Sequence, residues 1–359
     1  MNDQERSRLN FFRDNILQMS GYQSGEQPQG NKAIKLNTNE NPYPCSPSVL
    51  QAIRSVDPES LRKYPDASAA AFRAVAAKQL GVEPEWILCG NGSDEILSMV
   101  TRAFVAPGQK VRWPFPSYVL YSVLVDIQDG SSQLVDFAPD WTLADEFSRD
   151  TGPLGLIFLA NPNSPSGTLL SPAEILELVE KVPCPVLVDE AYADFSGTSC
   201  VDLVARNERL LVSRTLSKSH SLAGMRFGYL VAQPPVIEQL AKIKDSYNCD
   251  ALSIAGATAA MNDQPWLEQN LEKVRSTRKK MVEQLELLGF EVTPSAANFV
   301  WCKHCDRSSR EIYEYLKSRQ LLVRYMHFDH WGDGLRITVG TDDQLDALVT
   351  LLESMLKNS

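Results

Sequence analysis

Short apolar runs alternate with amphipathic stretches through the middle of the chain. LGLIFLA (154–160) and PVLVD (185–189) are uninterrupted apolar runs of strand length, and LLVSR (210–214) and FGYLVA (227–232) have the same character. Such runs predict buried strands. Between the first two lies SPAEILELVEK (171–181), where Ser171 and Glu174 form a capping-box pair and Pro172 suits the first helical position. This β-α-β rhythm predicts an α/β fold with a mostly parallel sheet flanked by helices on both faces. Ligands bind such sheets beyond the carboxyl ends of the strands.

The last hundred residues follow another pattern. A charged helix near 265–287 precedes a strand at NFVWC (298–302), a helix at 308–318, strands at LLVRY (321–325) and LRITVG (335–340), and a helix at 342–356. These predict a small α+β domain. Residues 1–34 are polar with little periodicity and read as an arm. The expected division is an arm and part of the small domain over 1–45, a large domain over 46–255 and a small domain over 256–359.

Composition narrows the function. The 359 residues are 43% hydrophobic and carry a net charge of −10, which disfavours a broad nucleic-acid surface. Seven cysteines at irregular spacing do not make a disulfide framework. Cys302 and Cys305 form a CxxC with no second pair, so no metal site is expected. The N-terminus has no apolar signal core, and no run approaches the ~20 apolar residues of a membrane span. A cytoplasmic enzyme without membrane attachment is expected.

Four polar segments follow predicted strands. SRTLSKSH (213–220) contains Lys218 among hydroxyls, with Arg226 eight residues on. A lysine at a strand end is usually solvated. In a polar, cation-rich pocket it can instead condense with an aldehyde, and hydroxyls with an arginine suit a phosphate monoester. Asp189 ends PVLVD and precedes Glu190-Ala191-Tyr192; it could cap a helix, bind a metal or do chemistry. CGNGSDEIL (89–97) places glycines before a helix, which suits a phosphate or a simple cap. NPNSPSGT (161–168) reads as a rigid turn.

Taken in order, GNGSDE, FPSY, NPNSPSG, VDEAY, SKSHSLAGMRFG and LRITVG resemble the fold-type I pyridoxal-phosphate-dependent aminotransferases, and look most similar to the histidinol-phosphate aminotransferases. The match runs from Tyr22 to the final helix. It implies a large domain with a mostly parallel mixed sheet, a small α+β domain, pyridoxal 5'-phosphate as cofactor, and a homodimer. Lys218 would hold the cofactor aldehyde and move the substrate proton. Asp189 would pair with the pyridine nitrogen, Tyr192 would bond the ring oxygen, and Tyr118 would stack on the ring. Gly92, Ser93, Asp94, Thr215, Ser217 and Arg226 would hold the phosphate, joined by Tyr64 from the neighbouring subunit. Arg336 would take the carboxylate of glutamate or 2-oxoglutarate, and Tyr22, Asn39 and Arg324 would take histidinol phosphate.

One position departs from the family pattern. Ser164 stands where an asparagine usually contacts the ring oxygen, so Asn163 or Asn161 is expected to replace that contact. His220 is expected to be packing or surface. Competing readings are an aromatic or aliphatic amino-acid aminotransferase, a threonine-phosphate decarboxylase, or a regulator on the same fold. The regulator would need a DNA-binding module that the acidic arm does not resemble.

Overall fold

The apolar runs become the centre of a seven-stranded sheet in the computed structural model, which describes residues 11–22, 25–28, 33–149 and 152–357. In chain order the strands are β1 (Ile34–Lys35), β2 (Ile87–Gly90), β3 (Lys110–Phe115), β4 (Ser131–Asp136), β5 (Leu154–Ala160), β6 (Val186–Asp189) and β7 (Leu210–Thr215). They continue with β8 (Gly228–Val231), β9 (Phe290–Thr293), β10 (Phe299–His304), β11 (Leu321–Leu322), β12 (Arg324–Phe328) and β13 (Gly332–Thr338).

The large sheet has the order β2-β8-β7-β6-β5-β3-β4. Only β8 runs against its neighbours. The 216–227 connection holds no crossover helix, so the chain returns antiparallel beside β7. Side chains of β5 and β6 alternate between two cores. Ile157, Leu159, Val186 and Val188 pack on one face, and Leu156, Phe158 and Leu187 on the other, as the two-residue period of a strand requires. A sheet covered on both faces explains why these strands read as continuous apolar runs.

Pro172–Lys181 is the expected helix. Ser171 accepts from the Glu174 amide and Glu174 accepts from the Ser171 amide, so the capping box is complete. Ile175, Leu178 and Val179 bury its inner face; each such side chain is worth roughly 1.5–3 kcal/mol.

The second sheet is antiparallel, in the order β12-β13-β10-β9. Its core joins helices Gln264–Leu287, Ser309–Ser318 and Asp342–Lys357 to Leu36 and Phe195. The run at 321–325 is not one strand. It breaks at Val323 into β11, which pairs in parallel with β1, and β12, which pairs with β13. The arm also contains structure that its polarity hid: helix Asp14–Gln18 is tied down because Asn15 Nδ2 donates to the Asp126 carbonyl at 2.7 Å and Arg13 Nη2 to that of Ile127 at 2.7 Å. Among the described residues no helix is long and apolar enough to cross a membrane.

Candidate active site

A cleft of about 1100 Å³ opens beyond the carboxyl ends of β5, β6 and β7 and is closed on one side by the small sheet. Asp189 is the last residue of β6 and is 5% exposed. Tyr121 Oη donates to Asp189 Oδ2 at 3.1 Å, and the Ala191 amide and Ser213 hydroxyl donate to Oδ1 at 3.2 and 3.3 Å. Burial still dominates, and it pushes the Asp189 carboxyl up to about 6. A buried carboxylate lined up by three donors and facing a cleft is suited to a cation brought by a ligand.

Lys218 follows β7 and lines the same cleft. Its Nζ donates to the Thr38 carbonyl at 3.0 Å and lies 5.9 Å from the Tyr192 ring centre. Asn39 Nδ2 donates to Tyr192 Oη at 2.9 Å. That bond occupies the phenol as acceptor and leaves its own proton for a group in the cleft. Asn39 is held with a left-handed backbone (φ 58°), tolerated by asparagine. Its own amide donates to Thr338 Oγ1 at 3.0 Å, and Asn298 Nδ2 donates to its carbonyl at 2.9 Å.

Gly92, Ser93, Asp94, Thr215, Ser217 and Arg226 gather at one end of the cleft. Ser93 begins the helix Ser93–Phe104, whose first turn has no side-chain cap. Its amides and positive dipole end therefore favour an anion. Arg226 Nη2 donates to Asp94 Oδ2 at 3.0 Å and Nη1 reaches Ser217 Oγ at 3.5 Å. The backbone must come close here: a Cβ on Gly92 (φ 82°) would stand 2.7 Å from Arg226 Nη2. Thr215 Oγ1 accepts from the Ser217 amide at 3.2 Å and fixes that loop. Tyr118 donates to Asp94 Oδ1 at 3.5 Å and lies beside this cradle; burial, then Asp94, hold its phenol well above the ordinary range.

The small sheet contributes Arg324 and Arg336, and both line the cleft with Tyr22. Arg336 Nη1 donates to Ser164 Oγ at 2.8 Å and Nη2 to the Asn37 carbonyl at 3.3 Å, while its buried Nε has no partner among the described residues. Burial holds this guanidinium below its ordinary value.

Neither asparagine expected to stand in for Ser164 faces the cleft. Asn163 is absent from its lining: its Nδ2 donates to the Pro116 carbonyl at 3.2 Å and to Ser166 Oγ at 2.9 Å, and its Oδ1 accepts from Ser117 at 2.8 Å. Asn161 is tied to Leu170 through both its amide and its carbonyl. Both side chains hold the turn together, and Ser164 lines the cleft itself. Tyr64 also lies outside this chain's cleft, 80% exposed and stacked on Tyr247 at 4.3 Å.

Sequence reasoning missed two features. Tyr121 stacks on Phe158 at 4.5 Å and holds Asp189; a second tyrosine three residues after Tyr118 was the available signal. Behind Lys218, Arg214 pairs with Glu190 at 2.8 Å and with Asp194, and Ser219 donates to Asp194. His220 belongs to this buried cluster, with Nδ1 3.0 Å from Ser219 Oγ; burial holds its pKa low. The CxxC cysteines are split, Cys302 in the core and Cys305 exposed beside His304 and Asp306.

The comparisons agree with this geometry. The family model for class I and II aminotransferases matches residues 31–352. The chain is 53% identical to a histidinol-phosphate aminotransferase of Rhodopirellula baltica, covering 97% of this chain and 96% of that one. It is 41% identical to histidinol-phosphate aminotransferase 1 of Trichormus variabilis, covering 97% and 99%. A solved histidinol-phosphate aminotransferase of Sinorhizobium meliloti, in complex with pyridoxal-5'-phosphate, superposes with a TM-score of 0.87 at 25% identity, covering 97% and 98%. The family-model match over residues 31–352, with 53% identity across nearly the whole of both chains, places the chain in the class I and II aminotransferase family.

Proposed function

We propose that the chain is a pyridoxal-phosphate-dependent transaminase that exchanges an amino group between L-histidinol phosphate and 2-oxoglutarate, giving imidazole-acetol phosphate and L-glutamate in histidine biosynthesis. The observation that carries the substrate assignment is the pair Arg324 and Arg336 in one wall of the cleft. One substrate brings a carboxylate and the other a phosphate, and two guanidinium groups suit both.

The cleft residues fit the cofactor. A buried carboxylate with no cation beside it would meet a ring nitrogen, and an uncapped helix start with Arg226 and Ser217 would meet a phosphate. When bound, pyridoxal phosphate supplies an aldehyde that takes up the amino group and a ring that withdraws electrons from the reacting carbon. Asp189 would keep the proton on the ring nitrogen. Tyr192, its oxygen already accepting from Asn39, would donate to the ring's phenolic oxygen. Tyr118 would cover a ring face, and Gly92, Ser93, Asp94, Thr215, Ser217 and Arg226 would hold the phosphate. Lys218 Nζ removes and returns the substrate proton. Arg336 takes the carboxylate of glutamate; Arg324, Tyr22 and Asn39 take the phosphate end of histidinol phosphate.

The enzyme works in the cytoplasm as a homodimer. Tyr64, exposed and remote from its own cleft, reaches the cofactor phosphate of the partner subunit. The boundary expected at 255/256 falls inside helix Ala251–Asn262, whose Ala257, Ala260 and Met261 pack in the large-sheet core, so we read the cofactor domain as running from 46 through that helix and the small domain from there to 359, with 1–45 divided between arm and small domain. Steady-state amino transfer from L-histidinol phosphate to 2-oxoglutarate tests this reading. Transfer from L-phenylalanine alone, or release of carbon dioxide from threonine phosphate, would replace it with one of the competing functions.

A further inference from the structure

The two sheets meet a second time, away from the reacting groups. The turn between β12 and β13 leaves the small sheet and lies on the far edge of the large one. Phe328 stands edge-on to Phe115 at the end of β3, with ring centres 5.8 Å apart. His330 Nε2 lies 2.9 Å from Asp136 Oδ2 at the end of β4, and its ring is 5.5 Å from Phe115. Trp331 packs on Trp141 at 4.8 Å, and Phe137 braces Trp141 at 5.6 Å.

This contact continues the cleft wall. Arg324, Met326 and Phe328 alternate along β12 and share one face. The first two line the cleft, and the third docks on Phe115. The two arginines differ in how they are held. Arg336 lies on an inner strand and is bonded to Ser164 and Asn37. Arg324 lies on the edge strand and has no such bond among the described residues. Its position is set by the strand that carries it.

We propose that Phe328, His330 and Trp331, seated on Phe115, Asp136 and Trp141, form a clasp that positions Arg324 in the cleft and so sets the affinity for the phosphorylated substrate. The proposal rests on the reading of Arg324 as the phosphate ligand. The clasp residues act through β12 and touch no reacting atom. The exposed contact of His330 with Asp136 contributes little alone, whereas the tilted and edge-on aromatic rings contribute area and geometry. Trp331 therefore carries more of the effect than His330.

The test uses the holoenzyme. The visible absorbance of the cofactor is followed while L-histidinol phosphate or L-glutamate is added to wild type, Trp331→Ala, Trp331→Phe, Asp136→Asn and Arg324→Gln, and hydrogen exchange is measured over residues 324–328. Trp331→Ala is expected to raise the histidinol phosphate concentration at half-conversion roughly tenfold and that of glutamate less than about twofold, because small displacements of a binding group are costly. The limiting rate is unchanged, the 324–328 amides exchange faster, and Trp331→Phe restores most of the affinity. Asp136→Asn shifts affinity in the same direction by less, and serves if Trp331→Ala does not fold. Equal weakening of both substrates, or faster exchange with no change in either, would overturn the clasp. If Arg324→Gln leaves histidinol phosphate unaffected, the reading of Arg324 fails instead.

Discussion

Arg324 and Arg336 stand directly opposite each other on adjacent antiparallel strands, and both line the cleft. Like charges in that register repel. The side-chain partners of Arg336 are neutral oxygens, Ser164 Oγ and the Asn37 carbonyl, not a carboxylate. Such a pair costs stability without a ligand and is offset only when anions arrive.

Removing one member should therefore separate stability from activity. Arg324→Gln is expected to leave the apo protein as stable as wild type or slightly more so. It should weaken L-histidinol phosphate by about 10-fold to 100-fold, the value of one or two charge-assisted hydrogen bonds. Thermal melting of the apo form, with kcat/KM for each substrate, checks both halves.

Asp189 gives a pH signature in the apo protein. Its folded pKa of about 6 lies above the ordinary aspartate value of 3.8. The native state then holds the proton more tightly, so stability is greatest in acid and falls as pH rises from about 4 to about 6. The loss is up to about 3 kcal/mol for a shift of this size. Urea unfolding of apo wild type and Asp189→Asn at pH 4.5 and 7.5 should show the variant gaining on wild type at the higher pH. Cofactor binding should remove the difference.

The cluster behind Lys218 is structural. Arg214→Met would leave Glu190 and Asp194 facing each other without their cation. Removing one member of a buried ion pair costs about 3–5 kcal/mol, so a large fall in melting temperature is expected by calorimetry.

Much of this was legible in the sequence, for physical reasons. Strands β5 and β6 are covered on both faces, so they had to be apolar up to Asp189, where β6 reaches the cleft. The Ser171–Glu174 box is a local code and appeared as read. What failed to show depends on tertiary partners. Arg214 passed without a role at the end of the LLVSR run, because its partners lie 20 and 24 residues away. Asn163 looked like a ligand group, but its amide is spent on Pro116 and Ser166. The contact of His330 with Asp136 spans 194 residues, beyond any local pattern.

The proposed sharing of each active site between two subunits can be tested by complementation. Lys218→Ala alone should lose on the order of 10⁴-fold in rate with the removal of its acid–base group, and Tyr64→Ala should bind cofactor weakly. Mixed and reassembled, the two variants should recover up to about a quarter of wild-type activity, since half of the dimers are mixed and each has one intact site. No recovery would show that Tyr64 serves its own chain or none.

The most direct test of the central claim is the ratio of kcat/KM for L-histidinol phosphate to that for L-histidinol, which lacks only the phosphate. Two charge-assisted contacts to that group predict a ratio of roughly 10² or more, with L-phenylalanine at or below the histidinol value. A ratio near one, or a preference for L-phenylalanine, would contradict the account.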